Sequence, residues 1–221
     1  MYPQCRYLAL RGMVTLSVEY RTIKAFGTTP QECVKDGKSA MRWVRTHAAE
    51  LGIDPSRMLA GGGSAGGHIA AATALVPLFN EAGEDGSVSC RPQALVLFNP
   101  VFDNGPNGFL HGLVKDYWKA ISPIDHIDAN TPPTFVILGT KDKYIPVATG
   151  KRFERLMAEH GRRCDLHLYE GEEHGFFNLW VDRNVLAETL IRMDRFLSSL
   201  GYLEGEPLLD CDTTTKRRLS V

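Results

Sequence analysis

No stretch of this 221-residue chain stays apolar for the ~20 residues that a membrane-spanning helix needs, and neither sign of charge is in excess, with 25 Lys and Arg against 26 Asp and Glu. The first lack excludes a helical membrane span. The second argues against a nucleic-acid partner, which calls for a basic face. The only basic block, Lys216-Arg217-Arg218, sits in a polar end that begins at Asp210 and reads as part of a frayed tail. Cysteine is scarce as well. Cys5, Cys33, Cys90, Cys164 and Cys211 lack the spacing of metal ligands. A sparse, odd count suits reduced thiols and a cytoplasmic location, although two extracellular disulfides with one thiol left over would satisfy it too. The opening MYPQCRYLALRG carries arginines and no long apolar core, so it does not read as a signal peptide. Internal repeats and low-complexity linkers are also missing. One domain over residues 1–204 with a tail at 205–221 is the expectation, and 43% hydrophobic residues supply a real core.

What is present alternates between two periods. Gly12 to Tyr20 (GMVTLSVEY) reads as a buried strand. Thr28-Thr29-Pro30 opens a helix, with threonine to cap and proline for the first turn. The apolar positions Val34, Ala40, Met41, Val44 and Ala48 continue it to a stop at Gly52. A short strand at Arg57–Ala60 precedes a helix-forming run from His68 to Leu75. Ala94–Phe98 and Thr134–Leu138 are continuous apolar runs, as in parallel strands buried on both faces. Cys164–Tyr169 alternates like an edge strand. Helices are expected at Val147–His160 and Val185–Leu200, the latter with Leu186, Leu190, Met193 and Leu197 on one stripe. The class is α/β with a largely parallel sheet. Residues 100–133 interrupt the alternation with aromatic residues among glycines and prolines, and read as a lid-like insertion rather than a bare connection.

Between the Arg57–Ala60 strand and the following helix lies GGGSAGGH, Gly61 to His68. Glycine clusters often mark flexible turns. Here Gly62-Gly63-Ser64-Ala65-Gly66 fits G-x-S-x-G in the strand-to-helix context that makes the motif a nucleophile elbow. The Ala65 N–H, at a helix N-terminus, is then an oxyanion donor. A serine needs a base, and the base an orienting acid. His174 follows the last strand in EGEEHGFF and is the candidate base. Asp142, in LGTKDKYIP after the Thr134–Leu138 strand, is the candidate acid. Asp103, after the preceding strand, is its rival, since catalytic groups gather at the carboxyl ends of strands in such sheets. Glu173 adjoins His174 in the chain and is poorly placed to orient it. Gly63, Phe102, Trp118 and Phe176 are candidates for lining a substrate pocket. This chemistry requires no metal and no organic cofactor.

Together GGGSAGGH, LGTKDKYIP and EGEEHGFFN resemble the Ser, Asp and His blocks of the α/β-hydrolase esterases. They are most similar to the acetyl-esterase and hormone-sensitive-lipase-like group and to bacterial esterases that deacylate plant polysaccharides. The resemblance runs from about Tyr7 to Leu200 and implies Ser64 as nucleophile, Asp142 as acid and His174 as base. It implies an acyl-enzyme route for a small-molecule or carbohydrate ester, and the glycines with the tight 100–133 insertion suggest a short acyl group. A prolyl-oligopeptidase-type peptidase shares the order of the three residues, and a hydrolase relic serving as a binding protein would keep the motifs. The group also carries an HGGG-type motif on an earlier loop, which this chain lacks. PQCRYLALRGMVTLSVEYR resembles the helix and strand that follow that motif, so the expectation is an N-terminally shortened member missing three strands. One of those strands normally separates the Gly12–Tyr20 strand from the Arg57–Ala60 strand. An open strand edge there is expected to draw in a second copy of the chain.

Overall fold

The computed structural model describes residues 1–209. The basic triplet Lys216–Arg218 and Cys211 lie outside the described residues. Helix α1 spans Tyr2–Leu10 and a single turn, α2, spans Ile23–Phe26; α3 covers Pro30–Thr46 and α4 Ala48–Leu51. Strand β1 (Leu59–Gly63) leads into α5 (Ala65–Leu75), followed by β2 (Ala94–Phe98). Two short helices, α6 (His111–Val114) and α7 (Trp118–Ile121), and a 3₁₀ turn at Pro123–His126 precede β3 (Thr134–Gly139). Then come α8 (Val147–Glu159), β4 (Cys164–Tyr169) and α9 (Arg183–Ser199). No described helix is long and apolar enough to cross a membrane.

The four strands are parallel and lie in chain order. Their side chains divide two cores by strict alternation. Ala94, Val96 and Phe98 of β2, with Phe135 and Ile137 of β3, pack with Tyr7 of α1 and Leu190, Met193 and Phe196 of α9. Leu95, Leu97, Val136 and Leu138 point the other way, onto Ala71 and Ala74 of α5 and Phe153 and Met157 of α8. This two-sided burial is why β2 and β3 are apolar at nearly every position. Helix α5 is buried at every residue from Gly67 to Leu75, because α3 covers its outer side. At that crossing a Cβ on Gly37 would stand 2.3 Å from Ile69 Cγ2, so a glycine sits mid-helix despite its helix-weakening effect.

Asp194 of α9, fully buried, ties α1 to this framework. It accepts hydrogen bonds from the Tyr7 hydroxyl and Arg11 Nε, both at 2.7 Å. Residues 205–209 are held against the end of α1: Gly205 O accepts from Arg11 Nη2 at 3.1 Å, and the Leu208 N–H donates to the Tyr7 hydroxyl at 3.3 Å.

One expected strand is not formed. Residues 13–22 run on without secondary structure, and Val14, Leu16 and Val18 are 50%, 40% and 49% exposed. An alternating apolar pattern supplies a face, but a strand exists only through a partner for its N–H and C=O groups. No described strand pairs with this segment, and β1 closes its side of the sheet. The expected helix from Pro30 to Leu51 is also broken, at His47 (φ −99°, ψ 15°), whose ring stacks on Trp43. Residues 100–133 are more than a loop. Phe102, Val114, Ile121 and Ile124 are all buried against the cores.

Candidate active site

Parallel strands in register bring their carboxyl ends to one edge, where Ser64, Asn99, Asp142 and His174 emerge in turn from β1, β2, β3 and β4. Ser64 joins β1 to α5 with φ 54° and ψ −119°, a region that side-chain-bearing residues avoid. Its backbone is held on both sides: Ser64 N–H donates to Phe98 O at 2.9 Å, and Ser64 O accepts from His68 N–H at 3.0 Å. The small neighbours have distinct reasons. A Cβ on Gly62 would lie 2.4 Å from the Gly66 carbonyl, and one on Gly67 would lie 2.9 Å from Pro100 Cβ. Gly66 faces open space, so its smallness answers no clash. Ala65 is the first residue of α5, where an N–H has no acceptor within the helix.

The loops after β3 and β4 are laced together. Thr140 N–H donates to Tyr169 O and Lys141 N–H to Glu172 O, each at 2.9 Å, and Gly171 N–H donates to Thr140 Oγ1 at 2.9 Å. The loop holding His174 is pinned from beneath by Phe176 and Phe177, which pack on Tyr169 and Phe98. This places His174 Nδ1 2.7 Å from Asp142 Oδ2, and His174 Nε2 2.9 Å from Ser64 Oγ. An ionised carboxylate only accepts, so Nδ1 carries the imidazole proton and Nε2 is left to accept from the serine hydroxyl.

Asp142 has no exposed side-chain surface. Burial pushes its pKa up, but the opposing hydrogen bonds from Asn99 Nδ2, His174 Nδ1 and the Ile145 and Tyr144 N–H groups prevail and hold it below the ordinary carboxylate range. The rival Asp103 is engaged elsewhere: its Oδ1 accepts from Gly105 N–H at 2.7 Å and its Oδ2 from Arg152 Nη1 at 3.1 Å. Glu173 faces Lys143 at 3.8 Å. His68, one turn into α5, is buried and donates Nε2–H to Ile121 O at 3.0 Å, which fastens α7 to the elbow helix; burial pulls its pKa down to about 4.

The aromatic residues expected around a pocket fall in different places. Phe102 is completely enclosed and stacked on Phe153, with centroids 3.8 Å apart, and Phe176 is 1% exposed under the histidine loop. Both serve the cores and offer no surface to a ligand. Gly63 gives room to Phe177, whose Cζ would lie 2.5 Å from a Cβ at that position. Trp118 is half-buried against Gly105 and His111. Two residues beside the site were not singled out in the sequence, Asn99 and Tyr144. The ring of Tyr144, over half exposed, meets the His174 ring edge-on at 5.1 Å and Phe109 at 5.6 Å. Their only sequence signal is position, just after the apolar run of β2 and two residues beyond Asp142.

A serine on a strained strand-to-helix turn, hydrogen-bonded in series to a histidine and a buried acid at the carboxyl edge of a parallel sheet, defines a hydrolase-type α/β scaffold. The chain belongs to the α/β-hydrolase-fold family, whose pattern matches residues 3–178. It is 28% identical to a probable carboxylic ester hydrolase, LipM, of Mycobacterium tuberculosis, covering 90% of this chain and 50% of that protein. It is 26% identical to the acetylxylan esterase of Xylanibacter ruminicola, covering 93% and 42%. This chain therefore spans half or less of the length of these relatives. Among solved structures, the apo form of Thermogutta terrifontis esterase 2 superposes with a TM-score of 0.88 at 42% identity, covering 92% of this chain and 78% of that one.

The elbow strain is measurable. Ser64→Gly admits the same φ and ψ without a Cβ, relieving ~1–3 kcal/mol of strain against ~0.5–1 kcal/mol of added chain entropy. A net gain of about 1 kcal/mol is expected in urea unfolding. Equal or lower stability would show that the turn is not strained.

Proposed function

We propose that the chain is a serine carboxylic-ester hydrolase with Ser64 as nucleophile, His174 as general base and acid, and Asp142 as the group that orients His174. The observation that carries this reading is the unbroken series Ser64 Oγ, His174 Nε2, His174 Nδ1 and Asp142 Oδ2, with contacts of 2.9 and 2.7 Å. Ser64 Oγ attacks the ester carbonyl carbon while His174 Nε2 takes its proton. The carbonyl oxygen becomes an oxyanion, and the Ala65 N–H at the start of α5 donates to it. Collapse breaks the bond to the alcohol, which leaves with the proton from Nε2. Water then attacks the acyl-serine and passes a proton to Nε2; collapse breaks the acyl–Oγ bond, Nε2 returns the proton to Ser64 Oγ, and the acid leaves.

A short acyl group, acetyl to butyryl, on a small or carbohydrate alcohol is the substrate class we favour. Solved forms of Thermogutta terrifontis esterase 2 with propionate and with butyrate bound support that size, as does the acetylxylan esterase relative for a carbohydrate alcohol.

Short p-nitrophenyl esters test the assignment. Ser64→Ala should abolish turnover, and Asp142→Asn should lower kcat by about 10⁴-fold, because the amide favours the wrong histidine tautomer. Asp103→Asn should leave kcat within a few-fold. The reverse order of the two aspartates would move the acid to Asp103, and faster cleavage of proline amides than of esters would favour a peptidase.

We also propose that two copies associate through the outer edge of β1, which has no partner strand among the described residues. Light scattering should give a mass above that of one chain, and a monomer across the micromolar range would refute it.

A further inference from the structure

We propose that Asn99 is a positioning residue for the Asp142–His174 pair, its side-chain amide aiming the one carboxylate oxygen that the imidazole uses. Asn99 follows β2 and is fully buried. Its N–H donates to Ile137 O at 2.9 Å, which locks its backbone to β3, the strand that leads to Asp142. Its φ is 44°, in the left-handed region that asparagine tolerates better than most residues. From there Nδ2 donates to Asp142 Oδ2, the same oxygen that accepts from His174 Nδ1. The other oxygen, Oδ1, is occupied by the Tyr144 and Ile145 N–H groups of its own loop.

The far end of the Asn99 amide supports this assignment. Asn99 Oδ1 is buried and has no hydrogen-bond partner among the described residues. A buried amide that leaves one end unsatisfied is costly. A residue chosen only to fill the space would be apolar. The one bond the side chain makes is to the acid, so the carboxylate sets the amide's orientation and the amide sets the carboxylate's. With the loop N–H groups on Oδ1 and the amide on Oδ2, Asp142 cannot rotate about its final bond, and the imidazole plane is fixed with it. The same bond draws charge from Oδ2 and opposes proton uptake by the pair. The other titratable or charged groups beside the pair are Tyr144, whose ring meets His174, and the exposed Lys143–Glu173 pair, whose members adjoin Asp142 and His174 in the chain.

The catalytic consequence rests on the reading of Ser64, His174 and Asp142 given above; the electrostatic one does not. Asn99→Gly removes the donor while permitting the positive φ, and Asn99→Ala removes the same donor at the cost of backbone strain. In both variants kcat per titrated serine should fall tenfold or more with KM within about twofold, and the acid limb of kcat/KM should move up by about one pH unit. NMR titration of the Asp142–His174 pair should show the same upward displacement of its apparent midpoint whether or not the chain hydrolyses esters. Equal displacement in the two variants, despite unequal unfolding midpoints, is the signature of the lost donor. An unmoved midpoint, or a displacement that follows loss of stability, would overturn the proposal. An inactive parent chain with displaced midpoints would refute the esterase reading and leave the role of Asn99 standing.

Discussion

Taking a carboxylate out of water costs several kcal/mol unless donors replace its hydration, and Asp142 has no exposed side-chain surface. Its donors come from the end of β2, from its own loop after β3 and from the loop after β4. Those segments meet only because the strands are parallel and in register, so that three loops leave the sheet at the same height. The interaction therefore constrains the fold at long range. A slip of one residue between β3 and β4 would turn every side chain of the slipped strand to the other face. It would also part the backbone bonds from Thr140 and Lys141 to Tyr169 and Glu172 that bring His174 to the acid.

Ser64 meets a different constraint. Its position is set by the two-faced packing of β1 and α5, and the closeness of that packing excludes a side chain at Gly62 and Gly67. Phe177 couples the two constraints. It sits against Gly63 of β1 and Phe98 of β2, three residues after His174, so the histidine loop is built on the floor of the Ser64 turn. A rigid floor and a satisfied acid leave the imidazole with one open contact, the serine hydroxyl at 2.9 Å.

Much of this was legible in the amino-acid order. β2 and β4 lie where their apolar and alternating patterns put them, and β3 extends the expected run by Gly139 alone. Serine, acid and histidine could be chosen because each follows a strand and the chemistry demands those residue types. What could not be read depends on partners far along the chain. Val14, Leu16 and Val18 carry a strand's alternation, yet pairing is supplied by another strand, and none of those described lies beside them. Phe102 and Phe176 stand close to the motifs in sequence, but their rings turn inward, because large apolar surface is worth more in a core than at a wet rim. Asn99 reads locally as a turn residue before proline; only the fold reveals that its amide meets Asp142. Helix α3 ends at Thr46 although the apolar spacing continues, a local break that periodicity does not report.

At the centre of what we propose is that the fold makes Ser64 a reactive nucleophile. Peptide mapping by mass spectrometry after exposure of the native chain to a fluorophosphonate tests it most directly, because the adduct records which oxygen attacked. The account predicts one adduct, on Ser64, that does not form in urea or in a His174→Asn variant. A folded chain that takes up no label, or takes it on another serine, would contradict the account.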